Sequence, residues 1–506
     1  MRIVPLSSRS LGSPPPPVAV ALRKVTQTLP GGGEDRPGQI AMAEAVEEAL
    51  VESHHLIVQA GTGTGKSLAY LVPAALLGRP VVVATATKAL QEQLAQRDLP
   101  LLSAALGEVT VAVLKGRANY VCRQRVAELA ERGFQAALDE DGDAGGPGAD
   151  RRLVAQVEGL LAWERTSTIG DRAELVDDVS DRAWSMVSTG PRECPGAFSC
   201  PQGTRCLAEQ ARAAAAAADV VVVNLHLLGS HLASGGQVLP EHDVVVIDEV
   251  HELESVMTQT LGVELTAGRI RSLVNLARPL LSGGRADAVS ALAAAAESVG
   301  VLLGELPEAA EIDLDEHVGL GVALRQTEDA ARQLLSGLRE ALEGADPRAA
   351  RAVSAATRLI EDLGRLRSDD DDDVLWLDGS RAGRVLTLSP IDVGPTLVSG
   401  LFGASTVVMT SATVPPGLSR RLGLDDAEVR QIDVGSPFDF RSQSLLYVAV
   451  DLGDRRADDA ELKIADELAI LIDAAGGRTL ALFTSRRAMR EAADRVADRV
   501  AHPILV

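Results

Sequence analysis

Residues 56–67 read LIVQAGTGTGKS, an apolar run that leads directly into a glycine-rich loop. The run predicts a strand over Leu56–Gln59, and the pattern after the loop predicts a helix that begins near Lys66. In such a loop, glycines let successive backbone N–H groups curl around a phosphate, and the N-terminus of the helix adds its positive end. An ordinary glycine-rich turn is the alternative, but glycine, lysine and serine at this spacing favour a nucleotide-binding loop. The loop residues expected to contact the nucleotide are Gly61, Thr62, Gly63, Thr64, Gly65, Lys66 and Ser67.

Other short apolar segments alternate with helical patterns along the chain. They predict six further strands: Val81–Ala84, Val111–Leu114, Val220–Val223, Val244–Ile247, Thr406–Met409 and Thr479–Phe483. Strands that alternate with helices predict an α/β fold with a parallel sheet. Between 265 and 384 the pattern changes to long helical stretches such as Ala286–Leu303 and Val322–Leu342, which indicates an inserted helical domain. A coiled coil is the alternative, but glycine and proline interrupt these runs too often.

Length and composition narrow the class of protein further. A chain of 506 residues is expected to hold about three or four domains. Four cysteines are too few for a disulfide scaffold, and residues 1–30 read as a flexible, proline-rich leader. The apolar stretch Ala213–Val223 is shorter than the roughly 20 residues that a membrane helix needs. We therefore expect a soluble, cytoplasmic protein.

The net charge of −22 argues at first against a nucleic-acid partner, since non-specific binding depends on Lys and Arg. Whole-chain charge, however, does not describe a single groove. The acidic runs Asp139–Asp150 and Asp369–Asp373 are expected to be solvated loops. A local basic surface is compatible with this charge.

Two further motifs follow predicted strands. Asp248-Glu249-Val250-His251 places an acidic pair where one carboxylate can hold Mg²⁺ against the β- and γ-phosphates and the next can orient the attacking water. His251 would couple this loop to others. The small hydroxyl residues of Thr410–Thr413 stand where a loop can sense the γ-phosphate, although such residues also cap helices. With Lys66 and Ser67, these motifs predict an ATP and Mg²⁺ site in which Ser67 and Asp248 ligate the metal.

The order of these motifs is that of superfamily 2 helicases, and four short segments narrow the resemblance. They are Arg36–Gln39, Lys115–Cys122, Asn224–His226 and Ser436–Phe438. With them the chain resembles the DinG-type iron–sulfur DNA helicases, bacterial relatives of the xeroderma pigmentosum group D helicase. The resemblance implies ATP-driven 5′→3′ unwinding of DNA in repair or replication, a RecA-like P-loop motor, an iron–sulfur domain and a helical arch domain. It also implies that Gln39 recognises adenine.

Pattern and resemblance together predict a domain order. The expected order is a flexible leader (1–30), the first motor domain in three parts (31–114, 211–264 and 385–432), an iron–sulfur domain (115–210), a helical arch domain (265–384) and a partial second motor domain (433–506).

All four cysteines, Cys122, Cys194, Cys200 and Cys206, lie between the phosphate loop and the acidic pair. Zinc sites usually use two tight C-x₂₋₄-C pairs, which this spacing lacks. Four thiolates with one distant member fit a [4Fe–4S] cluster better, and zinc remains the alternative. The family resemblance favours the cluster.

The same segment holds the candidate DNA contacts. Lys115, Arg117, Tyr120 and Arg123 could form a basic, partly aromatic strip that follows a single strand of DNA or a junction. The alternative is that the aromatic residues pack a small core, and for Trp163 and Trp184 we favour that alternative.

The end of the sequence departs from the family pattern. Residues 483–486 (FTSR) resemble the first motif of a second motor lobe, but no Gln-x-x-Gly-Arg-x-x-Arg pattern follows. An arginine of that lobe normally contributes roughly 10³–10⁵ in turnover. We therefore expect a truncated second lobe and, as the alternative to a working helicase, a nucleotide- and single-strand-binding module with little ATPase. An RNA-directed or remodelling ATPase is a third hypothesis.

Overall fold

The computed structural model describes residues 17–29, 32–107, 109–132, 147–281, 285–307, 309–343, 348–368, 370–379, 383–454, 457 and 459–506. The chain divides into two compact units, one ending at Pro437 and the other beginning at Phe438. The predicted acidic loop over 139–150 lies largely outside the described residues, and its last four residues begin a helix. Of the run Asp369–Asp373, the first residue also lies outside them, and Asp373 opens a strand instead of remaining in a loop.

The strands of the first unit form two sheets. In chain order they are β1 (His55–Gln59), β2 (Val81–Thr85), β3 (Val111–Val113), β4 (Val220–Asn224), β5 (Val244–Asp248), β6 (Val263–Leu265), β7 (Ala310–Glu311), β8 (Asp373–Asp378), β9 (Val385–Pro390), β10 (Thr406–Ser411) and β11 (Val429–Asp433). Seven of them pair in parallel in the order β11-β1-β10-β5-β2-β4-β3. The α/β parallel fold predicted from the sequence is confirmed.

Burial explains why apolar runs in the sequence predicted these strands correctly. Strand β2 (VVVAT) and strand β5 (VVVID) are buried along their whole length, as valine-rich strands of a sheet covered on both faces are. The strand order then sets the site. Because β10 lies between β1 and β5, the carboxyl ends of these three strands meet at one edge of the sheet. The register pairs Gln59 with Ser411 and Thr410 with Asp248.

Helices make up much of the rest of both units. Their bounds are Val18–Thr26, Pro37–Glu52, Lys66–Leu77, Lys88–Gln93, Leu99–Leu106, Arg123–Arg132, Pro147–Glu164, Asp181–Val187, Gly196–Ser199, Leu207–Ala216, Leu225–Ala233, Leu253–Leu261, Ala267–Ala277, Ala286–Glu305, Val318–Glu343, Ala349–Leu366, Gly394–Leu397, Leu418–Arg421, Phe440–Gln443, Ala460–Ala474 and Arg486–Val496. A π-helical turn, Leu94–Asp98, joins two of them.

The predicted leader needs a correction. Residues 1–16 and 30 lie outside the described part of the chain, but Val18–Thr26 is a helix, not a flexible segment. Val18, Leu22 and Val25 are at most 2% exposed and belong to the core under the central sheet. Their i, i+4, i+7 spacing could have revealed an amphipathic helix.

The region between β6 and β9 has its own core. Four helices pack together with an antiparallel sheet in the order β6-β9-β8-β7. The sequence predicted the helices and missed the sheet. The helix Ala286–Glu305 is long and apolar enough to cross a membrane by length and composition alone. Here it buries Val289, Leu292 and Val299 in this core, which is what a helix of a packed bundle does.

The cysteine segment packs a third, small core. Trp184 is 4% exposed, its ring centroid lies 6.3 Å from that of Trp163, and its Nε1–H donates to the Ala118 carbonyl at 2.7 Å. Trp184 is therefore buried in this core, and the partly buried Trp163 packs against it, in line with the packing role that the sequence favoured for both. A buried ion pair joins this segment to the helical region, since Arg351 Nη2 lies 2.8 Å from Glu128 Oε2.

The second unit contains the helices Ala460–Ala474 and Arg486–Val496, and Ser485 caps the latter by accepting the Ala488 N–H at 3.1 Å. The predicted strand Thr479–Phe483 is wrong, because these described residues are not part of a strand. Leu480 and Leu482 are more than 80% exposed, so their apolar alternation has no sheet to pack against in the described unit.

Candidate nucleotide site and its surroundings

The phosphate loop lies between β1 and the helix Lys66–Leu77, as the sequence predicted. Gly63 and Gly65 have φ values of +82° and +85°, which side chains disfavour. Gly65 is also crowded, because a Cβ there would lie 2.2 Å from Nε2 of Gln39. That Nε2 donates to the Gly65 carbonyl at 3.0 Å, and Arg36 donates to the Gly63 carbonyl. Gln39 and Arg36 thus hold the loop from outside, while two of its N–H groups, those of Gly61 and Thr64, donate to the carbonyls of Gly435 and Gly61.

The acidic pair meets the loop from strand β5. Lys66 Nζ lies 3.2 Å from Glu249 Oε1. Asp248 is 1% exposed, accepting the Tyr70 hydroxyl on Oδ2 and the Glu249 N–H on Oδ1, both at 3.0 Å. Glu249 has φ +59°, a strained conformation for a residue with a side chain, which typically marks a functional position. Lysine, aspartate and glutamate are therefore assembled at one point, as a phosphate and metal site requires.

Electrostatics at this point favour a cation. Burial raises the pKa of Asp248 to about 6, and the charge of Glu249 also raises it, while Lys66 and hydrogen bonds lower it. A buried carboxyl with a raised pKa gains when a metal ion neutralises its charge. Ser67 and Asp248 have the oxygen donors that Mg²⁺ prefers.

A hydrogen-bond relay connects the acidic pair to the end of β10. The Ser411 hydroxyl donates to Glu249 Oε2 at 3.1 Å and lies 2.8 Å from Nδ1 of His251. Because that hydroxyl gives its proton to Glu249, its lone pair is left to accept from the imidazole. The expected coupling by His251 thus has a physical route, through a serine that the Thr410–Thr413 motif contributes.

A cavity of about 540 Å³ opens beside the loop. Its walls are Thr26, Leu29, Gly33, Glu34, Arg36, Gln39, Gly65, Ser67, Leu68, Gln93, Arg97 and Asp98. Gln39, the residue expected to recognise adenine, is in this wall and is 5% exposed. The helix Val18–Thr26, in the segment predicted to be a flexible leader, also contributes to the wall, through Thr26 and the turn that follows it.

The four cysteines form no disulfide. The charges of neighbouring thiolates change the pKa of two of them, Cys122 and Cys200. Burial raises the pKa of Cys122 to about 11, and the charges of Cys194 and Cys200 add to the rise. Burial likewise raises the pKa of Cys200, with contributions from Cys194 and Cys206. Within the described ranges, no group of three or more His, Cys, Asp or Glu side chains is arranged to hold a metal ion. The four thiols fit an iron–sulfur centre in their chemistry, although the described structure does not gather three or more of them into one metal-binding group.

The candidate DNA contacts lie inside an ion-pair network. Three cations are each paired with a carboxylate distant in sequence, Lys115 with Asp171, Arg117 with Glu209 and Arg123 with Glu164. Tyr120 is 3% exposed, so its ring does not offer a stacking face. The structure therefore does not bring these four residues together as an open basic strip. Their pairing partners could not be identified from the sequence.

A larger cavity, of about 950 Å³, was missed by sequence reasoning. Its walls come from three distant parts of the chain: residues 190–193 of the cysteine segment, 226–237 beyond β4, and the helical region near 264–276 and 355–359. Arg192 in its wall is exposed and has no ion-pair partner among the described residues. Burial lowers the pKa of Arg269, the charge of nearby Arg192 lowers it further, and both side chains line this cavity. No single sequence motif spans these walls.

A phosphate loop and an acidic Asp-Glu-x-His motif at the carboxyl ends of parallel strands β1 and β5, with β10 between them, define a P-loop ATPase of the helicase type. Residues 39–131 match the family described as DEAD/DEAH box helicase. The ATP-dependent helicase DinG of Mycobacterium tuberculosis is 37% identical, with the match covering 94% of this chain and 75% of that protein. The ATP-dependent DNA helicase YoaA of Escherichia coli is 30% identical over 96% of this chain and 76% of that protein.

A solved structure named as an XPD helicase superposes on this chain with a TM-score of 0.49 and 14% sequence identity. The match covers 92% of this chain and 75% of the XPD chain. The similarity to these two relatives over almost the whole chain shows that the chain belongs to the DinG/YoaA family of ATP-dependent helicases.

Proposed function

We propose that this chain is an ATP-dependent DNA helicase that moves 5′→3′ and acts where single strands meet duplex, in repair or replication in the cytoplasm. The observation that carries the proposal is the meeting of Lys66, the Asp248–Glu249 pair and Ser411 at one edge of the sheet. Its relatives are named as ATP-dependent helicases, and YoaA as a DNA helicase.

In this proposal each side chain has a separate task. The loop Gly61–Ser67 binds the phosphates through its N–H groups, and Lys66 leaves Glu249 to reach the γ-phosphate. Ser67 and Asp248 would hold Mg²⁺, which would neutralise charge at the phosphates. Glu249, freed from the lysine, orients the attacking water. The hydrogen bonds of Ser411 to Glu249 and to His251 couple the position of the Glu249 carboxylate to the end of β10.

For the DNA path we propose the larger cavity in place of the paired residues of the cysteine segment. Arg192 brings an exposed positive charge to one wall, next to Arg269, which is paired with Asp362. Ser230 and Gln237 line the same cavity, as do the carboxylates of Glu193 and Glu264. A single strand has a charged backbone that such cations bind with an affinity that falls as salt rises.

The cysteines are proposed to hold a [4Fe–4S] cluster. Burial and the neighbouring thiolates raise the pKa of Cys122 and Cys200, so these two thiols are stable as thiolates only beside a compensating cation, which a bound cluster supplies. The Cys122 N–H donates to the Val187 carbonyl at 2.7 Å, which anchors this ligand to the tryptophan core. Anaerobic purification with iron, sulfide and zinc analysis separates cluster from zinc.

The test of the function is unwinding of duplexes that carry a 5′ or a 3′ single-stranded tail, with ATP hydrolysis followed in parallel. We expect ATP-dependent unwinding from the 5′ tail, loss of both activities in Lys66→Ala, and weaker, more salt-sensitive DNA binding in Arg192→Ala. Unwinding from the 3′ tail alone would refute the polarity. Retained binding of Mg·ATP and DNA without turnover would instead support the binding-module alternative.

A further inference from the structure

A short segment at the end of strand β11 packs against the phosphate loop, in a contact that has no task in the mechanism above. This exit segment, Asp433–Ser436, belongs to the first unit and leads along the chain to the second. The Gly435 carbonyl accepts the Gly61 N–H at 3.0 Å, and a Cβ on Gly61 would lie 3.2 Å from that carbonyl oxygen. A Cβ on Gly38 would lie 2.7 Å from the Val434 carbonyl oxygen. The exit segment is therefore packed closely between two glycines of the nucleotide site.

The side chain of Gln59, the last residue of β1, fixes the exit segment in this position. Its Nε2 donates to Asp433 Oδ2 at 2.8 Å, and its Oε1 accepts the Val414 N–H at 3.0 Å. The other carboxylate oxygen of Asp433, Oδ1, accepts the Gly435 N–H at 2.8 Å. A chain of hydrogen bonds thus runs from Gln59 through Asp433 to the residue whose carbonyl holds Gly61.

An amide side chain at position 59 matches both of its partners at once. The Asp433 carboxylate can only accept and the Val414 N–H can only donate, so the residue between them needs one donor and one acceptor. A glutamate at position 59 would place two carboxylates against each other. The backbone adds to this attachment, because the Val434 N–H donates to the Gln59 carbonyl at 3.0 Å and continues the pairing of β11 with β1.

Gly61 is the point at which these hydrogen bonds reach the part of the loop proposed to bind phosphates. Its carbonyl accepts the Thr64 N–H at 3.3 Å and the Thr64 hydroxyl at 2.7 Å. Gly61 is therefore held by Gly435 on one side and holds Thr64 on the other. A shift of the exit segment consequently changes the position of the loop that receives the nucleotide.

We infer that Gln59 is a positioning residue for the phosphate loop and couples nucleotide binding at that loop to the exit segment. The inference rests on the proposed function, because it needs a nucleotide at the loop, but none of its steps needs DNA. Gln59 acts through Asp433 and Gly435 on Gly61. Coupling of this kind is reciprocal, so a nucleotide that binds the positioned loop more tightly stabilises the exit segment by the same factor.

Hydrogen exchange of the exit segment, measured with and without a non-hydrolysable ATP analogue and Mg²⁺, tests this coupling. In the wild type, bound nucleotide should slow exchange of the Val434 and Gly435 N–H groups about 2–10-fold, the factor that one typical hydrogen bond contributes to an equilibrium. Gln59→Ala should abolish this slowing and weaken nucleotide binding by about the same factor. A general loss of stability would not remove a change that depends on nucleotide.

Exchanging the two polar partners separates positioning from damage to the fold. Gln59→Glu should be at least as harmful as Gln59→Ala, because it opposes two carboxylates. Adding Asp433→Asn should restore nucleotide affinity and the slowed exchange to near wild-type values. In the double variant the new amide donates to the new carboxylate, which still accepts the Val414 N–H, so all the hydrogen bonds can form. Gln431→Glu adds the same charge at an exposed position of β11 and is the matched control, which should change neither value.

Three results would overturn the inference and leave the proposed function standing. They are unchanged nucleotide affinity in Gln59→Ala, exchange of the wild-type exit segment that ignores nucleotide, and a double variant no better than Gln59→Glu. A wild type that does not bind the nucleotide, or binds it no better than Lys66→Ala does, would instead refute the proposed function and the inference with it.

Discussion

Replacing Asp248 by asparagine should stabilise the nucleotide-free protein at neutral pH, even though it removes a proposed metal ligand. Burial holds the pKa of this carboxyl at about 6, above the ordinary value of 3.8. Below both values the carboxyl is neutral in the folded and the unfolded chain. As pH rises from 3.8 to 6, the unfolded chain loses the proton first, so the wild type loses stability; above pH 6 the loss is constant.

The size of the effect follows from the same numbers. The difference between 3.8 and about 6 corresponds to about 3 kcal/mol, at ~1.4 kcal/mol per pKa unit. Asparagine cannot keep both hydrogen bonds of Asp248, because one of its two terminal atoms is a donor. The lost bond costs about 1–2 kcal/mol. We therefore expect Asp248→Asn to gain about 1–2 kcal/mol at pH 8 and to lose about as much near pH 4.

Urea unfolding in EDTA, without nucleotide, measures this from pH 4 to pH 8. Asp243→Asn is the matched control, since Asp243 is exposed directly before the same strand and carries the same chemical change without the burial. A stability difference between Asp248→Asn and wild type that does not change with pH would refute the argument. So would a net loss of stability at pH 8.

Two more substitutions test the packing around the site. Gly65→Ala should cost about 0.5–1.5 kcal/mol more than Gly78→Ala, because both glycines have positive φ but only at Gly65 would a Cβ, 2.2 Å from Nε2 of Gln39, displace that amide and break its hydrogen bond to the Gly65 carbonyl; equal unfolding midpoints would contradict this. Arg351→Met should cost about 3–5 kcal/mol in urea unfolding by leaving Glu128 buried and unpaired. The double variant with Glu128→Leu should recover most of that cost, and simple additivity would contradict the pairing.

The parts of the fold that the sequence predicted correctly are those where local pattern and burial agree. Strands β2, β4 and β5 are valine-rich and almost wholly buried, so their runs read clearly. Strand β11 was missed because it is an edge strand with one buried residue, Val429. The predicted strand Thr479–Phe483 was wrong because an apolar run forms a strand only where a neighbouring strand exists to pair with it.

The residues of the candidate site likewise include some that the sequence predicted and some whose contacts it did not. The phosphate loop and acidic pair could be predicted because their spacing is a motif, although Lys66 and Glu249 are 183 positions apart. The ion pairs of Lys115 and Arg117 span 56 and 92 positions without any motif, so these cations looked available to DNA.

The central claim is that the loop Gly61–Ser67 and the Asp248–Glu249 pair form one nucleotide site. Calorimetric titration of the wild type and of Lys66→Ala with Mg·ATP tests it most directly. The account predicts one site in the wild type, tighter with Mg²⁺ than in EDTA, and at least a tenfold loss of affinity in the variant, which is about 1.4 kcal/mol. Equal affinities in the two proteins, or wild-type binding that ignores Mg²⁺, would contradict it.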